Sequence, residues 1–417
     1  MADNITYYDT MSTPKYPRSV RQALLRDLET YPVVALMGAR QVGKSTLGRE
    51  LAEARGMAYR TLDDRDVLRQ AREDPEGLLD DLNGAGFIDE AQRAPEIFLA
   101  LKAIVDREQR AGQYLLSGSN QPVMSGAVGD SLLGRAAYRT LRPLTLSELR
   151  LDETHAGWDF LFEQSTSRVI DELERRADAS GSLDWRATVE MGGFPRAVAA
   201  PADMRRRMLD DYVEVFANRD IRELLAIESA DRFEQFMRLV ASRTGQVLNV
   251  NGLSGELGIP VTTVRRWLDA LKRSFLVELI PAFSRNAGHR VTKAPKLFMT
   301  DVALALAAAR EPEPTGFHLE TLVASDLAVW RDGSLNCAVH HWRTQSGQEV
   351  DFIAERDRKL LPIELKASTG VGLADARHLK VFLGGYDAVV RSLLLSADPV
   401  IRELTPKIIA APWWAVL

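Results

Sequence analysis

Residues 38–45 read Gly-Ala-Arg-Gln-Val-Gly-Lys-Ser, and this stretch decides the fold of the N-terminal part of the chain. It fits the phosphate-loop pattern G-x-x-x-x-G-K-[ST] at every defined position. An apolar, strand-like run over residues 33–37 precedes the loop, and a helical pattern over residues 44–55 follows it. Because a phosphate loop requires a strand before it and a helix after it, the sequence predicts a nucleotide site here.

Each residue type in the loop has a physical role. Gly38 and Gly43 let backbone N–H groups close around phosphate oxygens without a Cβ clash, and the start of the next helix adds positive potential. Lys44 supplies charge to the β- and γ-phosphates, while Ser45 offers a hydroxyl to Mg²⁺. We therefore predict ATP and Mg²⁺ as cofactors, with contacts from Gly38, Ala39, Arg40, Gln41, Val42, Gly43, Lys44, Ser45 and Thr46.

A second motif, Phe-Ile-Asp-Glu at residues 87–90, places carboxylates at the end of another predicted strand. A carboxylate at the end of a buried parallel strand is costly unless it meets a cation, so we expect Asp89 to hold Mg²⁺ through water. Glu90 is then placed to polarise a water molecule for attack on the γ-phosphate. Taken alone, the pair also fits a solvated strand end; beside a phosphate loop, it favours hydrolysis over nucleotide sensing.

The chain divides into regions of different pattern. Strand-like runs alternate with helical ones up to about residue 150, which predicts a parallel sheet in an α/β domain. A charged helical region follows, then short helices with strand-like segments, then a second α/β region. The predicted organisation is a P-loop core over residues 1–150, a helical lid over 151–245, a winged-helix module over 246–301 and a C-terminal α/β domain over 302–417.

Composition restricts the class of protein. The chain has 417 residues, 46% hydrophobic and 27% charged, as in soluble multidomain proteins, and its net charge of −5 means that DNA contact requires a local basic patch. A single cysteine, Cys337, excludes an internal disulfide. The first ten residues lack a signal-peptide pattern, and no apolar run approaches the roughly 20 residues that span a bilayer. We expect a cytoplasmic protein without membrane contact.

Residues 253–275 have the pattern of two short helices joined by a glycine turn, with Thr262 or Thr263 capping the second helix. Strand-like stretches at 276–283 and 296–298 would complete a winged helix. Between Thr262 and Lys296 there are eight basic and two acidic residues. This concentration predicts DNA phosphate contact through residues 253–296; the alternative is a winged helix used for packing or protein contact.

Two strand patterns, residues 350–355 and 360–366, flank Asp357-Arg358. If these two residues form the loop of a hairpin, Asp351 lies directly across from Glu364, and Lys366 lies on the same face. Facing carboxylates destabilise a hairpin unless a cation bridges them, so the pattern predicts a Mg²⁺ site. Lys366 would orient or activate a water molecule beside it.

The chain resembles AAA-type ATPases of the prokaryotic kind whose core is followed by a domain of uncharacterised function. The resemblance rests on the loop GARQVGKST and on the segments FIDEAQ, YLLSGSN, LLGR before RPLTLSEL, GGFPR and RDI. It implies that Ser119 or Asn120 is a polar sensor of the γ-phosphate, although either residue also fits a helix cap. It further implies that Arg135 reaches a neighbouring subunit's nucleotide in a homo-oligomer. A surface arginine is the alternative for Arg135, and Arg196 and Arg219 are weaker candidates for lid contacts to phosphate.

The C-terminal pattern, Asp351 followed by Glu364-x-Lys366, resembles the PD-(D/E)XK nuclease core. The resemblance implies that Asp351, Glu364 and Lys366 are catalytic and that Glu320, on a preceding helix, joins Asp351 and Glu364 as a metal ligand. The proline usual in the motif is absent, since Glu349 and Val350 precede Asp351. A degenerate nuclease fold kept as a binding scaffold is the alternative.

Two functions follow. The first is a Mg²⁺-dependent ATPase coupled to DNA binding or remodelling, with a nuclease-like domain that cuts or grips DNA. The second is a nucleotide-dependent switch or scaffold for protein partners, with an inactive nuclease-like domain. A positioned hydrolytic base at Glu90 favours the first.

Overall fold

The computed structural model describes residues 15–120, 132–151, 157–221, 230–284 and 293–417. The N-terminal decapeptide, together with Arg285 and Arg290 of the predicted basic patch, lies outside these residues.

In the described part of the chain, five parallel strands form the sheet of the N-terminal domain. They are β1 (Val33–Met37), β2 (Ala58–Thr61), β3 (Gly86–Asp89), β4 (Tyr114–Gly118) and β5 (Ala136–Thr140). Their order across the sheet is β2-β3-β4-β1-β5. Strands β1, β3 and β4 are buried along their whole length, as expected for parallel strands covered on both faces. The predicted parallel sheet is confirmed.

The helices of this domain are Arg21–Thr30, Lys44–Ala54, Arg65–Glu73, Pro75–Asp80 and Ile97–Glu108. Local chemistry sets their starts: the Asp64 carboxylate accepts from the backbone N–H groups of Asp66 and Val67, which caps the helix Arg65–Glu73. Gly48 lets the helix after the phosphate loop approach the sheet, because a Cβ there would lie 2.3 Å from the Phe87 ring. The loop is thereby held close to the end of β3.

A region of helices follows. Its helices are Leu146–Leu149, Phe160–Glu163, Thr166–Ser180, Trp185–Met191, Pro195–Ala199, Ala202–Val215 and Ala230–Ala241, with a π-helical turn at Phe216–Asp220. These helices contribute to two different cores. Residues 158–189 pack with the C-terminal sheet, whereas residues 194–241 pack with the N-terminal domain and the middle of the chain.

The middle region consists of two helices and a small antiparallel sheet. The helices Val250–Leu257 and Val261–Arg273 are separated by Gly258, which has a φ of 62°. The strands β6 (Gln246–Val247), β7 (Val277–Ile280) and β8 (Lys296–Met299) pair in the order β6-β8-β7.

The C-terminal region contains a mixed sheet of β9 (Cys337–Arg343), β10 (Glu349–Arg356), β11 (Lys359–Lys366), β12 (Ser392–Ser396), β13 (Arg402–Thr405) and β14 (Ile408–Pro412), in the order β13-β14-β12-β11-β10-β9. The helices Val302–Ala309, Gly316–Gly333 and Arg377–Gly385 accompany it. Strands β10 and β11 form a hairpin in which Phe352 pairs with Ile363 and Arg356 with Lys359. This is the predicted register.

No helix in the described ranges is long and apolar enough to cross a membrane.

Candidate functional site

The phosphate loop lies between β1 and the helix Lys44–Ala54, with its backbone held in conformations that favour glycine. Gly38 and Gly43 have φ values of 155° and 100°. A Cβ at Gly38 would lie 2.2 Å from the Leu141 carbonyl oxygen, so a larger residue there would push the loop away from the segment after β5. No side chain caps the N-terminus of the helix at Gly43, which leaves its first N–H groups available to an anion.

Lys44 is buried at the base of the loop. Its Nζ donates to the carbonyl oxygens of Gly38 at 3.0 Å and Ala39 at 2.8 Å. Burial lowers the pKa of Lys44 to about 8, although the nearby Glu90 and Asp89 carboxylates oppose this shift. The buried ammonium is therefore incompletely compensated by its surroundings, and negative phosphate oxygens would supply the missing charge.

Asp89 occupies the carboxyl end of β3, where parallel strands of such sheets present ligand-binding groups. Its side chain is buried and accepts hydrogen bonds from the Ser117 hydroxyl and, at 3.3 Å, from the Tyr59 hydroxyl. Ser117 lies on the neighbouring strand β4, and its Oγ also accepts from the Glu90 backbone N–H at 3.1 Å. Sequence reasoning missed Ser117; its one signal was its position in the strand end that contains the predicted sensors.

Glu90 lies one residue beyond the strand, with a left-handed φ of 57° that turns the chain at this point. The Ser119 hydroxyl donates to Glu90 Oε2 at 3.2 Å. The Gln92 side-chain amide donates to the same oxygen and to Ser119 Oγ. Glu90 is thus oriented by one predicted residue, Ser119, and by one that sequence reasoning missed, Gln92.

A cavity of about 970 Å³ brings the phosphate loop, Glu90 and residues 119–120 together with the helical region. Gly38, Ala39, Val42 and Asp89 are not among the residues that line it. The site residues predicted from the sequence that line this cavity are Arg40, Gln41, Gly43, Lys44, Ser45, Thr46, Glu90, Ser119, Asn120, Arg196 and Arg219. Asn120 Oδ1 is buried without a hydrogen-bond partner among the described residues, so it is available to a ligand. Three further arginines, Arg18, Arg72 and Arg93, line the cavity and were not predicted.

Arg135 does not line this cavity. Its guanidinium binds both carboxylate oxygens of Asp106, with Nη2 lying 3.0 Å from Oδ2, and its side chain is about one third exposed. Within one chain, Arg135 is therefore remote from the nucleotide site. Its predicted action on a neighbouring subunit stays a prediction.

Arg18 is a buried residue that sequence reasoning missed. It donates to the Val42 carbonyl of the phosphate loop at 2.8 Å and to the Arg142 carbonyl at 2.5 Å, and it pairs with Glu148 at 3.2 Å. Burial lowers the pKa of Arg18, against the opposing effect of Glu148. The residue braces the loop and also lines the cavity. No local pattern marks it, because its partners are 24 to 130 positions away.

The C-terminal carboxylates converge as the hairpin predicts, but a lysine lies among them. Lys296 Nζ is 3.1 Å from Glu320 Oε2, 2.7 Å from Glu349 Oε1 and 3.3 Å from Asp351 Oδ1. Lys366 Nζ donates to Glu364 Oε1 at 2.7 Å. We call Glu320, Glu349, Asp351 and Glu364 the C-terminal carboxylate cluster.

Burial and mutual repulsion shape the charges of this cluster. Burial, reinforced by Asp351, raises the pKa of Glu320 to about 8 and that of Glu364 to about 7. Lys296 moves in the opposite direction: burial would lower its pKa, but the surrounding carboxylates outweigh burial and raise it. The ammonium therefore stays charged and acts as the counter-ion of the cluster.

This position of Lys296 corrects one part of the predicted DNA-binding patch. Lys296 was counted among the basic residues facing phosphate, but its side chain is 2% exposed and engaged by three carboxylates. A strand residue pointing into a protein core has no access to DNA. The basic residues that the structure leaves exposed in this region are Arg265, Arg266, Lys272, Arg273 and Lys293.

The Mg²⁺ ligands predicted for the two sites differ in how well they fit a metal. Ser45 and Asp89 form a hydroxyl and carboxylate set of the kind that Mg²⁺ prefers together with nucleotide phosphates. At the C-terminal cluster the lysine occupies the centre. Across the described ranges, no group of three or more His, Cys, Asp or Glu side chains is arranged to hold a metal ion.

Family models match successive parts of the chain. Residues 30–150 match the AAA domain family. Residues 182–315 match a domain of unknown function (DUF8612), and residues 315–412 match another (DUF4143). This match supports the predicted AAA-type P-loop domain in the N-terminal segment, and with it nucleotide binding and hydrolysis.

Two relatives that align with most of the chain carry names that state no function. Two uncharacterized proteins, from Mycobacterium bovis and Mycobacterium tuberculosis, are each 28% identical over 362 residues, covering 84% of this chain and 74% of their own length. The Walker-type ATPase of Pyrococcus abyssi aligns over 69% of this chain and 94% of its own, with 16% identity and a TM-score of 0.39. The RuvB Holliday junction branch migration motor of Thermotoga maritima aligns over 66% and 94%, with 16% identity and a TM-score of 0.27. Scores this low establish no common mechanism.

Proposed function

We propose that the chain is a Mg²⁺-dependent ATPase whose hydrolysis is coupled to DNA binding or remodelling. The observation that carries the ATPase part is the meeting of Lys44, Glu90 and Ser119 around one cavity at the carboxyl ends of parallel strands. A phosphate-binding lysine, a general base and a polar group in contact with that base are the parts that hydrolysis of a γ-phosphate requires.

In this proposal the phosphate oxygens take over the Lys44 ammonium from the Gly38 and Ala39 carbonyl groups. Ser45 and, through water, Asp89 hold Mg²⁺, which neutralises charge on the β- and γ-phosphates. Glu90 accepts a proton from the attacking water. Ser119 donates to Glu90 Oε2, so it orients the base and links it to the end of β4.

The first test compares ATP hydrolysis by the wild type and Glu90→Gln, each with and without duplex and single-stranded DNA. We expect the variant to bind ATP but to lose roughly 100-fold or more in turnover, because general-base catalysis contributes about that much. Glu96→Gln is the matched control, since Glu96 is exposed and does not line the cavity. Undiminished turnover in Glu90→Gln would contradict the role of Glu90.

The DNA part of the proposal is supported by exposed basic residues on the helix Val261–Arg273 and by the helices and antiparallel sheet around it, which have the order of a winged helix. Stimulation of wild-type hydrolysis by DNA, lost in Glu90→Gln, is the expected result. In this proposal the C-terminal domain grips DNA. The nuclease-like part of the proposal rests on the order of its elements, which is a helix, the meander β9-β10-β11, a second helix and the parallel strand β12.

The second candidate function is a nucleotide-dependent switch or scaffold for protein partners with an inactive C-terminal domain. The position of Lys296 among the carboxylates favours the inactive domain. Hydrolysis that is indifferent to both forms of DNA would support this candidate and remove the coupling to DNA.

A further inference from the structure

Lys296 lies at the junction of separate parts of the fold. It belongs to β8, the central strand of the small antiparallel sheet. Glu349 and Asp351 belong to β10 of the C-terminal sheet, and Glu320 to the helix Gly316–Gly333. One ammonium group therefore connects three elements from two regions of the chain.

The chemistry of the contact is that of a saturated cation site. A lysine ammonium has three N–H donors, and Lys296 Nζ has a carboxylate oxygen within 2.7–3.3 Å from each of three acids. The side chain is 2% exposed, so water does not compete for these donors. Arg343 adds a second cation on the outer side, 3.8 Å from Glu349 Oε2.

The remaining oxygens are partly committed to other groups. Asp351 Oδ2 accepts the backbone N–H of Leu365 at 2.9 Å, and Glu364 Oε1 pairs with Lys366. Only Glu364 Oε2 is buried without a partner among these oxygens in the described residues. Mg²⁺ requires several oxygens at about 2.0–2.1 Å in near-octahedral positions, which cannot be met around a nitrogen that already occupies the centre.

We propose that Lys296 is the resident cation of the C-terminal carboxylate cluster, where it excludes divalent metal and locks the small antiparallel sheet to the C-terminal sheet. The cluster is thus an ionic lock between two parts of the chain. This inference does not depend on ATP hydrolysis, because none of its residues lines the nucleotide cavity.

The test measures Mn²⁺ binding to the nucleotide-free full chain by calorimetry and electron paramagnetic resonance. Every sample carries Ser45→Ala, which removes the phosphate-loop hydroxyl ligand. The lock is opened by Lys296→Met together with Glu349→Gln, which removes one positive and one negative charge and so keeps the charge balance. Lys293→Met is the matched control, because Lys293 is an exposed lysine of the same segment.

We expect the chain with Lys296 intact, and the Lys293→Met control, to have no Mn²⁺ site that depends on Asp351. The opened variant should bind Mn²⁺ at least about tenfold more tightly than the chain with Lys296 intact. Adding Asp351→Asn should abolish this gain. Equal affinity with and without Lys296, or no gain in the opened variant, would overturn the proposal.

Glu349→Gln alone provides a second measurement if the opened variant does not fold. It keeps Lys296 but removes its shortest carboxylate contact, so hydrogen exchange of the β8 amides should become faster than in the parent chain. Exchange at the parent rate would show that the lysine does not lock the two sheets and would overturn that part of the proposal.

Discussion

At the scale of single residues, the cavity is built by polar groups that hold one another in position. Glu90 has a left-handed backbone conformation. Its Oε2 accepts hydrogen bonds from the Ser119 hydroxyl and the Gln92 side-chain amide. Asp89, one residue earlier, is held by Ser117. The loop and strand-end motifs predicted the acids, but Ser117 and Ser119 contact them only because β3 and β4 are neighbours in the sheet.

Asp326 shows how burial of a single carboxylate affects stability. It accepts from the Trp158 indole N–H at 2.7 Å, and burial, partly offset by this bond, raises its pKa to about 7. A folded-state pKa above the unfolded value means that folding is favoured below the unfolded pKa and loses this contribution as the pH rises through about 7. The protein should therefore become less stable between about pH 4 and pH 7 because of this group.

We predict that Asp326→Asn raises the melting temperature at pH 8, because the amide still accepts from Trp158 without carrying a buried charge. The gain in free energy of unfolding is at most about 4 kcal/mol, at about 1.4 kcal/mol per pKa unit. The melting temperatures of the two proteins, measured from pH 4 to pH 8, should approach each other as the pH falls. Asp171→Asn, an exposed change, is the control; a constant difference between Asp326→Asn and the wild type across this range would contradict the prediction.

At the scale of elements, the helix Val261–Arg273 has a buried apolar face and an exposed basic face. Trp267 packs edge-on against Phe233 and Phe236, with ring centroids 5.4 and 5.3 Å apart. Arg265 and Arg266 lie exposed on the opposite side. The helical spacing of apolar residues in this segment predicted the buried face, and the charged residues between them predicted the exposed face.

Replacing both Arg265 and Arg266 by alanine should weaken binding to duplex DNA of any sequence. Loss of two phosphate contacts should reduce the slope of log affinity against log salt by about 2. Fluorescence anisotropy at several salt concentrations measures this slope. The control replaces two exposed arginines elsewhere, Arg168 and Arg207, by alanine. An unchanged slope in Arg265→Ala/Arg266→Ala would remove this helix from the proposed interface.

The hairpin β10-β11 is an element whose geometry followed from local sequence. Asp357 and Arg358 have φ values of 49° and 65°, and a two-residue turn with both φ values positive matches the twist of the paired strands. The register between β10 and β11 is then determined by the turn. That register was predictable; the identity of the cation that meets its carboxylates was not.

At the scale of the whole molecule, a partly buried ionic network joins the N-terminal domain to the rest of the chain. Arg142, just after β5, lies 3.0 Å from Glu278 on β7 and 2.8 Å from Asp332 at the end of the helix Gly316–Gly333. Arg331 reaches the same Glu278 at 2.8 Å. Since the Arg142 carbonyl accepts from Arg18, which also donates to the phosphate loop, a chain of polar contacts connects the loop to both later regions.

The oligomer implied by the family resemblance is tested by mixing two inactive variants. If Arg135 acts on a neighbour's nucleotide, Lys44→Ala and Arg135→Ala should each lose about a thousandfold in turnover. A mixture should recover activity, because the loop of one chain meets the arginine of another. Arg107→Ala, at an exposed arginine of the neighbouring helix, is the control. Wild-type turnover in Arg135→Ala, or a mixture no more active than its components, would contradict the trans arrangement.

Local sequence determined the strand, loop and helix of the phosphate site, the acidic end of β3, the two faces of the helix Val261–Arg273 and the register of the hairpin β10-β11. Each depends on residues close in the chain, whose spacing and backbone preferences act directly. The tertiary structure alone decided that Arg18 braces the loop, that Ser117 holds Asp89 and that Lys296 lies among carboxylates up to 55 positions away. Such contacts depend on which elements pack together, and a charged residue has the same local pattern whether it faces solvent or a buried partner.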